Sequence, residues 1–146
     1  MFGNITDDIA HNARRRPDHS AMIDSTRALD YRSLDADIKR TANHLRDLGI
    51  GAGDFVGLAM ADTIDNVVAM LGIIRLGAVL IPMDCRWLAE EKIRVAGAFG
   101  VPTVIVDDEP LAGIETLIVN EDWHRAVAQK EPEGEFPSDP KAPLWL

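Results

Sequence analysis

The chain has 146 residues, a formal net charge of −9, 47% apolar and 27% charged residues. That length fits one domain, able to bury about 68–70% of its unfolded surface, with the composition of an ordinary globular protein. The acidic balance argues against a nucleic-acid partner, because a phosphate-backbone binder needs clustered Lys and Arg to displace counterions.

The opening residues, Met1-Phe2-Gly3-Asn4-Ile5-Thr6-Asp7-Asp8, lack the charged-then-apolar layout of a signal peptide. Residues 5–16 read as a helix, with Thr6 as N-cap and Asp7 and Asp8 where the helix dipole favours negative charge. Pro17 stops it. The basic run Arg14-Arg15-Arg16, flanked by Asp7, Asp8 and Asp18, reads as a solvated helix end. Residues 20–24 and 28–31 are short strands joined as a hairpin through Ser25-Thr26-Arg27. Residues 33–48 place Leu34, Ile38, Ala42, Leu45 and Leu48 on one face, an amphipathic helix that Gly49 closes. After a Gly-rich turn, residues 54–60 are a buried strand, 63–76 a helix apolar around much of its circumference, and 79–81 the next buried strand. Residues 67–83 form the most apolar stretch, but Arg75, Gly72, Gly77 and Pro82 interrupt it, leaving it short of the about 20 apolar residues a membrane span needs. Residues 88–99 are a second crossover helix capped by Gly100, and 103–106 a third strand. Residues 117–119 add a strand and 121–129 a short helix. Apolar strands separated by helices predict an α/β fold, a mostly parallel sheet with helices on both faces. Residues 1–130 are one α/β segment; 131–146 are a proline-rich acidic connector ending on Leu144-Trp145-Leu146, an apolar strand start that suggests truncation.

Isolated motifs yield no active site. Gly49, Gly51, Gly53 and Gly57 precede a strand instead of linking a strand to a helix, so they read as turn glycines, and no G-x-x-x-x-G-K-[ST] loop occurs. His11, His19, His44 and His124 are isolated on polar segments and are expected at the surface, without metal-site spacing. Asp107-Asp108-Glu109 reads as a solvated loop. Cys85, the single cysteine, excludes an intrachain disulfide, fits a cytoplasmic location, and reads as a small semi-buried residue with no His nearby in sequence to activate it. The chain is therefore a binding or structural module, or part of a larger enzyme.

Several stretches match one family in order. Asn12-Ala13-Arg14-Arg15-Arg16-Pro17-Asp18 with Ala21 resembles the opening of AMP-forming acyl-CoA synthetases. Leu29-Asp30-Tyr31-Arg32-Ser33-Leu34 resembles their "LTY-EL" step, and Leu48-Gly49-Ile50-Gly51-Ala52-Gly53-Asp54-Phe55-Val56 their "LGv-kGDrV". Gly72-Ile73-Ile74-Arg75-Leu76-Gly77-Ala78-Val79 and Pro82-Met83-Asp84-Cys85-Arg86 resemble "a-lkaGAv-vPlnpr". Asp139-Pro140-Lys141-Ala142-Pro143-Leu144-Trp145-Leu146 is similar to the strand that leads into the family's Ser/Thr/Gly-rich phosphate loop.

The resemblance implies part of the large N-terminal domain of an acyl-CoA synthetase-like fold. It implies a two-step ligase that turns a carboxylic acid and ATP into an acyl-adenylate and pyrophosphate, then passes the acyl group to a thiol, usually coenzyme A, with Mg²⁺ at the phosphates. The residues for this chemistry belong to later sequence in the family, so this chain is expected to be inactive and to bind none of these cofactors alone. One position carries over: Arg86 matches an arginine that in some relatives lies near the coenzyme A phosphates, although Cys85 and Trp87 replace the usual proline and leucine beside it. An adenylation domain that loads a carrier protein, and a free-standing non-catalytic α/β binding or assembly module, are the alternatives. Unpaired sheet edges are expected to favour a homodimer.

Overall fold

The computed structural model describes residues 4–136. The expected strand start at Leu144-Trp145-Leu146 lies outside the described residues. In chain order the elements are α1 (Thr6–Arg15), β1 (Ser20–Ile23), β2 (Ala28–Asp30), α2 (Tyr31–Asp47), β3 (Phe55–Ala59), α3 (Ile64–Leu76), β4 (Val79–Pro82), α4 (Ala89–Phe99), β5 (Thr103–Val106), β6 (Glu115–Ile118) and α5 (Glu121–Ala128).

The most apolar strands fix the centre. β3 pairs in parallel with β4 on one side and β5 on the other, and β5 pairs in parallel with β6, giving the order β4-β3-β5-β6. Successive strand side chains point to opposite faces, and the alternation divides the core in two. Val56, Leu58, Leu80 and Ile105 face the layer of α2, α3 and α5, with Ile73, Leu45 and Trp123. Ala59, Val79, Ile81, Val104 and Val106 face α4, with Ala96 and Val101. Helices therefore cover both faces, as the continuous apolar strands require. β1 and β2 form a separate antiparallel hairpin whose Ala21, Met22 and Leu29 pack on Leu34 and Ile38 of α2.

Caps set most boundaries. Asp30 accepts from the Ser33 amide at 2.8 Å to start α2, Thr63 from the Asn66 amide at 3.3 Å to start α3, and Asn120 from the Trp123 amide at 3.0 Å to start α5. Gly77 and Gly100, at φ 84° and 65°, end α3 and α4 in the left-handed conformation that glycine adopts without a Cβ penalty. The Asp24 carboxylate accepts from the Thr26 and Arg27 amides inside the hairpin turn, and its other oxygen accepts from the Ile64 amide at 2.9 Å. That bond pins the hairpin to the α3 N-terminus, and it is the main reason the carboxyl is held well below the usual range.

The expected N-cap of α1 is not where the sequence suggests. Thr6 is fully buried, and the Asn4 side chain accepts from its amide at 2.9 Å and from its hydroxyl at 2.8 Å. Thr6 serves Arg75 instead. Arg75 Nε donates to Thr6 Oγ1 at 2.7 Å, and Nη2 donates to Thr6 O at 2.9 Å and to Asp35 Oδ1 at 2.8 Å. Lys39 Nζ holds the second Asp35 oxygen at 2.8 Å. This network joins α1, α2 and α3 at one buried point.

Residues 131–136 have no regular secondary structure but follow α2 along fixed contacts. Asn43 Nδ2 donates to the carbonyls of Glu131 and Glu133 at 2.9 and 2.8 Å, and Arg46 Nη2 to that of Glu135 at 3.0 Å. The Arg46 guanidinium lies 4.8 Å from the centroid of the Phe136 ring. Among the described residues no helix is long and apolar enough to cross a membrane.

Removing one partner of a buried pair leaves an uncompensated charge, so Arg75→Met is expected to cost about 3–5 kcal/mol in urea unfolding. A Cβ on Gly72 would meet Thr41 Cγ2 at 2.7 Å. Gly72→Ala is therefore expected to lower stability, although Ala gains about 1 kcal/mol over Gly in a helix interior. Thr41→Ser, which deletes that methyl, should shrink the loss in a double-mutant cycle.

Candidate functional site

In sheets of this kind the loops after the strand carboxyl ends gather at one edge, where open α/β folds place ligands. The loop from β4 to α4, residues 83–88, carries Arg86. Asp84 organises it. Its Oδ1 accepts from the Arg86 amide at 2.8 Å and from Nε at 3.0 Å, and its Oδ2 accepts from Nη2 at 2.7 Å. Arg86 is highly exposed, at 85% of its side chain, yet held in one orientation by its neighbour. The guanidinium pulls the Asp84 carboxyl down to about 2, and the carboxylate in turn raises Arg86. Cys85 is half-buried beside them, and Trp87 and Leu88 are exposed. Leu88 opens α4 with its amide donating to Glu91 Oε2 at 2.9 Å.

Two further charged contacts sit at the carboxyl ends of β3 and β5. Asp107 Oδ2 accepts from the Ala61 amide at 2.9 Å, tying the two strand ends together. Lys92 of α4 is 3% exposed, with Nζ 3.7 Å from Asp108 Oδ2. The loop at residues 107–109 is exposed, as expected, but its two aspartates have protein partners. Sequence reading passed over Lys92. The available signal was its spacing four residues before Ala96, which places it on the sheet-facing side of α4.

His124 lies at the surface as expected, whereas His44 does not. His44 is half-buried, meeting Trp123 edge-on with ring centroids 4.8 Å apart, and burial lowers its pKa. His124 is exposed but engaged, with Nε2 3.0 Å from Asp65 Oδ2. Arg14, Arg15 and Arg16 are exposed, as a solvated helix end should be. Among the described residues no group of three His, Cys, Asp or Glu side chains could hold a metal. The Arg86 loop can offer a positive charge to an anion, but it holds no nucleophile–base pair.

The profile of the family described as AMP-binding enzyme matches residues 9–143. The chain is 35% identical over 138 residues to phosphinothricin tripeptide synthetase PhsC of Streptomyces viridochromogenes, covering 90% of this chain and 12% of that protein. It is 42% identical over 88 residues to a medium/long-chain-fatty-acid–CoA/3-oxocholest-4-en-26-oate–CoA ligase of Mycobacterium marinum, covering 60% of this chain and 16% of that protein. Among solved structures, NpsA-ThdA, an artificially fused adenylation-PCP di-domain NRPS from Klebsiella oxytoca, superposes with a TM-score of 0.87 at 22% identity, over 99% of this chain and 28% of that one. A Mycobacterium tuberculosis fatty acyl CoA synthetase superposes with a TM-score of 0.86 at 21% identity, over 98% and 32%. The chain thus spans a small part of the length of the relatives it matches.

The Asp84–Arg86 geometry sets a pH window. With the folded carboxyl depressed to about 2, its pairing is complete above the unfolded value of about 3.9 and is lost as pH falls through the folded one. Carboxyl ¹³C NMR should show the Asp84 midpoint near 2 in the native chain and a higher one in Arg86→Ala, which removes the guanidinium but keeps the amide donor at position 86.

Proposed function

The chain belongs to the AMP-binding enzyme family, and on that premise we propose that it is scaffold from an ATP-dependent carboxylic acid:coenzyme A ligase. In the proposed reaction a carboxylate attacks the α-phosphorus of ATP and releases pyrophosphate. A thiol then attacks the acyl carbon of the adenylate, and AMP leaves. The match over residues 9–143 carries this reading, and the relative named as a fatty-acid–CoA ligase supports the choice of acceptor.

The residues present do not fit ATP or Mg²⁺: the sequence has no Gly-rich phosphate loop, and no metal-holding group occurs among the described residues. No step is assigned to them, and the 146-residue chain is proposed to be inactive alone. Its part is mechanical. In this reading 1–130 is the α/β segment, of which the described part, from residue 4, holds a parallel sheet that aims its loops at one edge. The proposed connector over 131–146 lies outside the described residues from 137 onward.

Arg86 fits a coenzyme A phosphate in part. Asp84 takes donors from Nε and Nη2 and leaves Nη1, so a phosphate can share the guanidinium but competes with a carboxylate of the same sign. The protein is proposed to work in the cytoplasm. Among the described residues β4 and β6 each have one edge without a strand partner, which supports pairing between two copies of the isolated chain.

A second reading, an adenylation unit that loads a carrier protein, is favoured by the similarity to PhsC over 90% of the chain. The acceptor separates the two. In the complete gene product, the ligase reading expects acyl-coenzyme A to form from free coenzyme A. Arg86→Ala should then raise the apparent KM for coenzyme A severalfold and spare adenylate formation. An unchanged KM would remove the role given to Arg86, and transfer only to a carrier protein would favour the second reading.

A further inference from the structure

A cavity of about 620 Å³ opens between the β1–β2 turn and helices α2, α3 and α5, and shares no lining residue with the Arg86 loop. That volume lies within the about 300–1,000 Å³ range of small-molecule sites. Val68, Val127 and Trp123 give it apolar walls, and Arg27, Asp37, Arg40 and Asp65 give it two charges of each sign.

The two ion pairs in it are not equivalent. Arg27 Nη2 bonds Asp65 Oδ1 at 2.7 Å, and His124 holds the other Asp65 oxygen at 3.0 Å. That pair is well satisfied. Arg40 and Asp37 share a single long bond, Nη1 to Oδ1 at 3.5 Å, and the other ionic contact of Asp37 is Arg27 at 4.0 Å. Arg40 Nε is buried with no hydrogen-bond partner among the described residues. Burial pushes the Asp37 carboxyl up, and neither arginine fully offsets this. Both side chains line the cavity and are partly exposed, 32% for Arg40 and 28% for Asp37, so their weakly paired charges stay open to a molecule that enters it.

Charge complementarity selects the occupant. A simple anion that reaches Arg40 also meets Asp37 and Asp65, and a simple cation that reaches Asp37 also meets Arg27 and Arg40. A molecule carrying both charges meets each with its opposite. We propose that this cavity binds a small zwitterion with an apolar body, its acid group on Arg40, its ammonium on Asp37 and its body against Val68, Val127 and Trp123. The site is independent of the ligase reading.

The test uses the 146-residue chain and three probes of one shape: L-norleucine, N-acetyl-L-norleucine and L-norleucinamide. Amide NMR should show saturable shifts at residues 37–41 and at the Trp123 indole with norleucine, with a Kd of about 1 mM or below. Capping either charge should weaken binding at least about tenfold, as should Arg40→Met and Asp37→Asn; Arg94→Met, on the exposed side of α4, should not. If a cavity variant fails to fold, the capped probes still decide the question. No saturable shift by about 20 mM, or equal binding of all three probes, would leave a water-filled cleft and overturn the proposal.

Discussion

The fold hangs on a charge that has no solvent. α3 must be apolar on nearly every side, because it lies between the sheet and α2, yet Arg75 stands in its last turn and is 5% exposed. A buried guanidinium is tolerated only when its donors and charge are met. Two elements meet it: α1 through the hydroxyl and carbonyl of Thr6 at its start, and α2 through the carboxylate of Asp35. The need to satisfy Arg75 therefore fixes where α1 begins and how α2 lies on α3. Close approach at Gly72 against Thr41 completes the α2–α3 contact. With α3 seated, β3 and β4 are set in parallel register, and the loop carrying Arg86 leaves from the end of β4.

Much of this was legible in the sequence, for local reasons. Continuous apolar runs gave β3, β4 and β5, and glycines at positions needing positive φ gave the ends of α3 and α4. The expected helix at residues 63–76 starts one residue later because Thr63 is its cap, and the expected strand at 117–119 is Glu115–Ile118. What escaped was long-range. Nothing local distinguishes Thr6 as a ligand of Arg75, 69 residues away, from Thr6 as a helix cap. The contacts of Asn43 and Arg46 with residues 131–135 pair carbonyl groups that no side-chain pattern announces. Arg86 is singled out only by resemblance, and its pairing with Asp84 is an i to i+2 contact legible as Asp-x-Arg after a strand.

The proposed division between frame and chemistry rests on the same facts. A parallel sheet with helices on both faces sets loops at its carboxyl edge with high precision but supplies no reactive group by itself. The described edge offers a restrained arginine, a buried lysine and tied aspartates, all engaged in holding loops. The family relatives are far longer, with this chain matching 12% of one and 16% of another. In the proposed account the frame is here and the phosphate chemistry is in sequence beyond it.

Acid-dependent exchange of labelled pyrophosphate into ATP is the most direct test of that account, because it reads reversible acyl-adenylate formation without needing the acceptor. The account predicts exchange by the complete gene product with at least one acid from a panel of fatty, aromatic and amino acids, and none by the 146-residue chain. Exchange catalysed by the 146-residue chain itself, or none by the complete product with any acid, would contradict it.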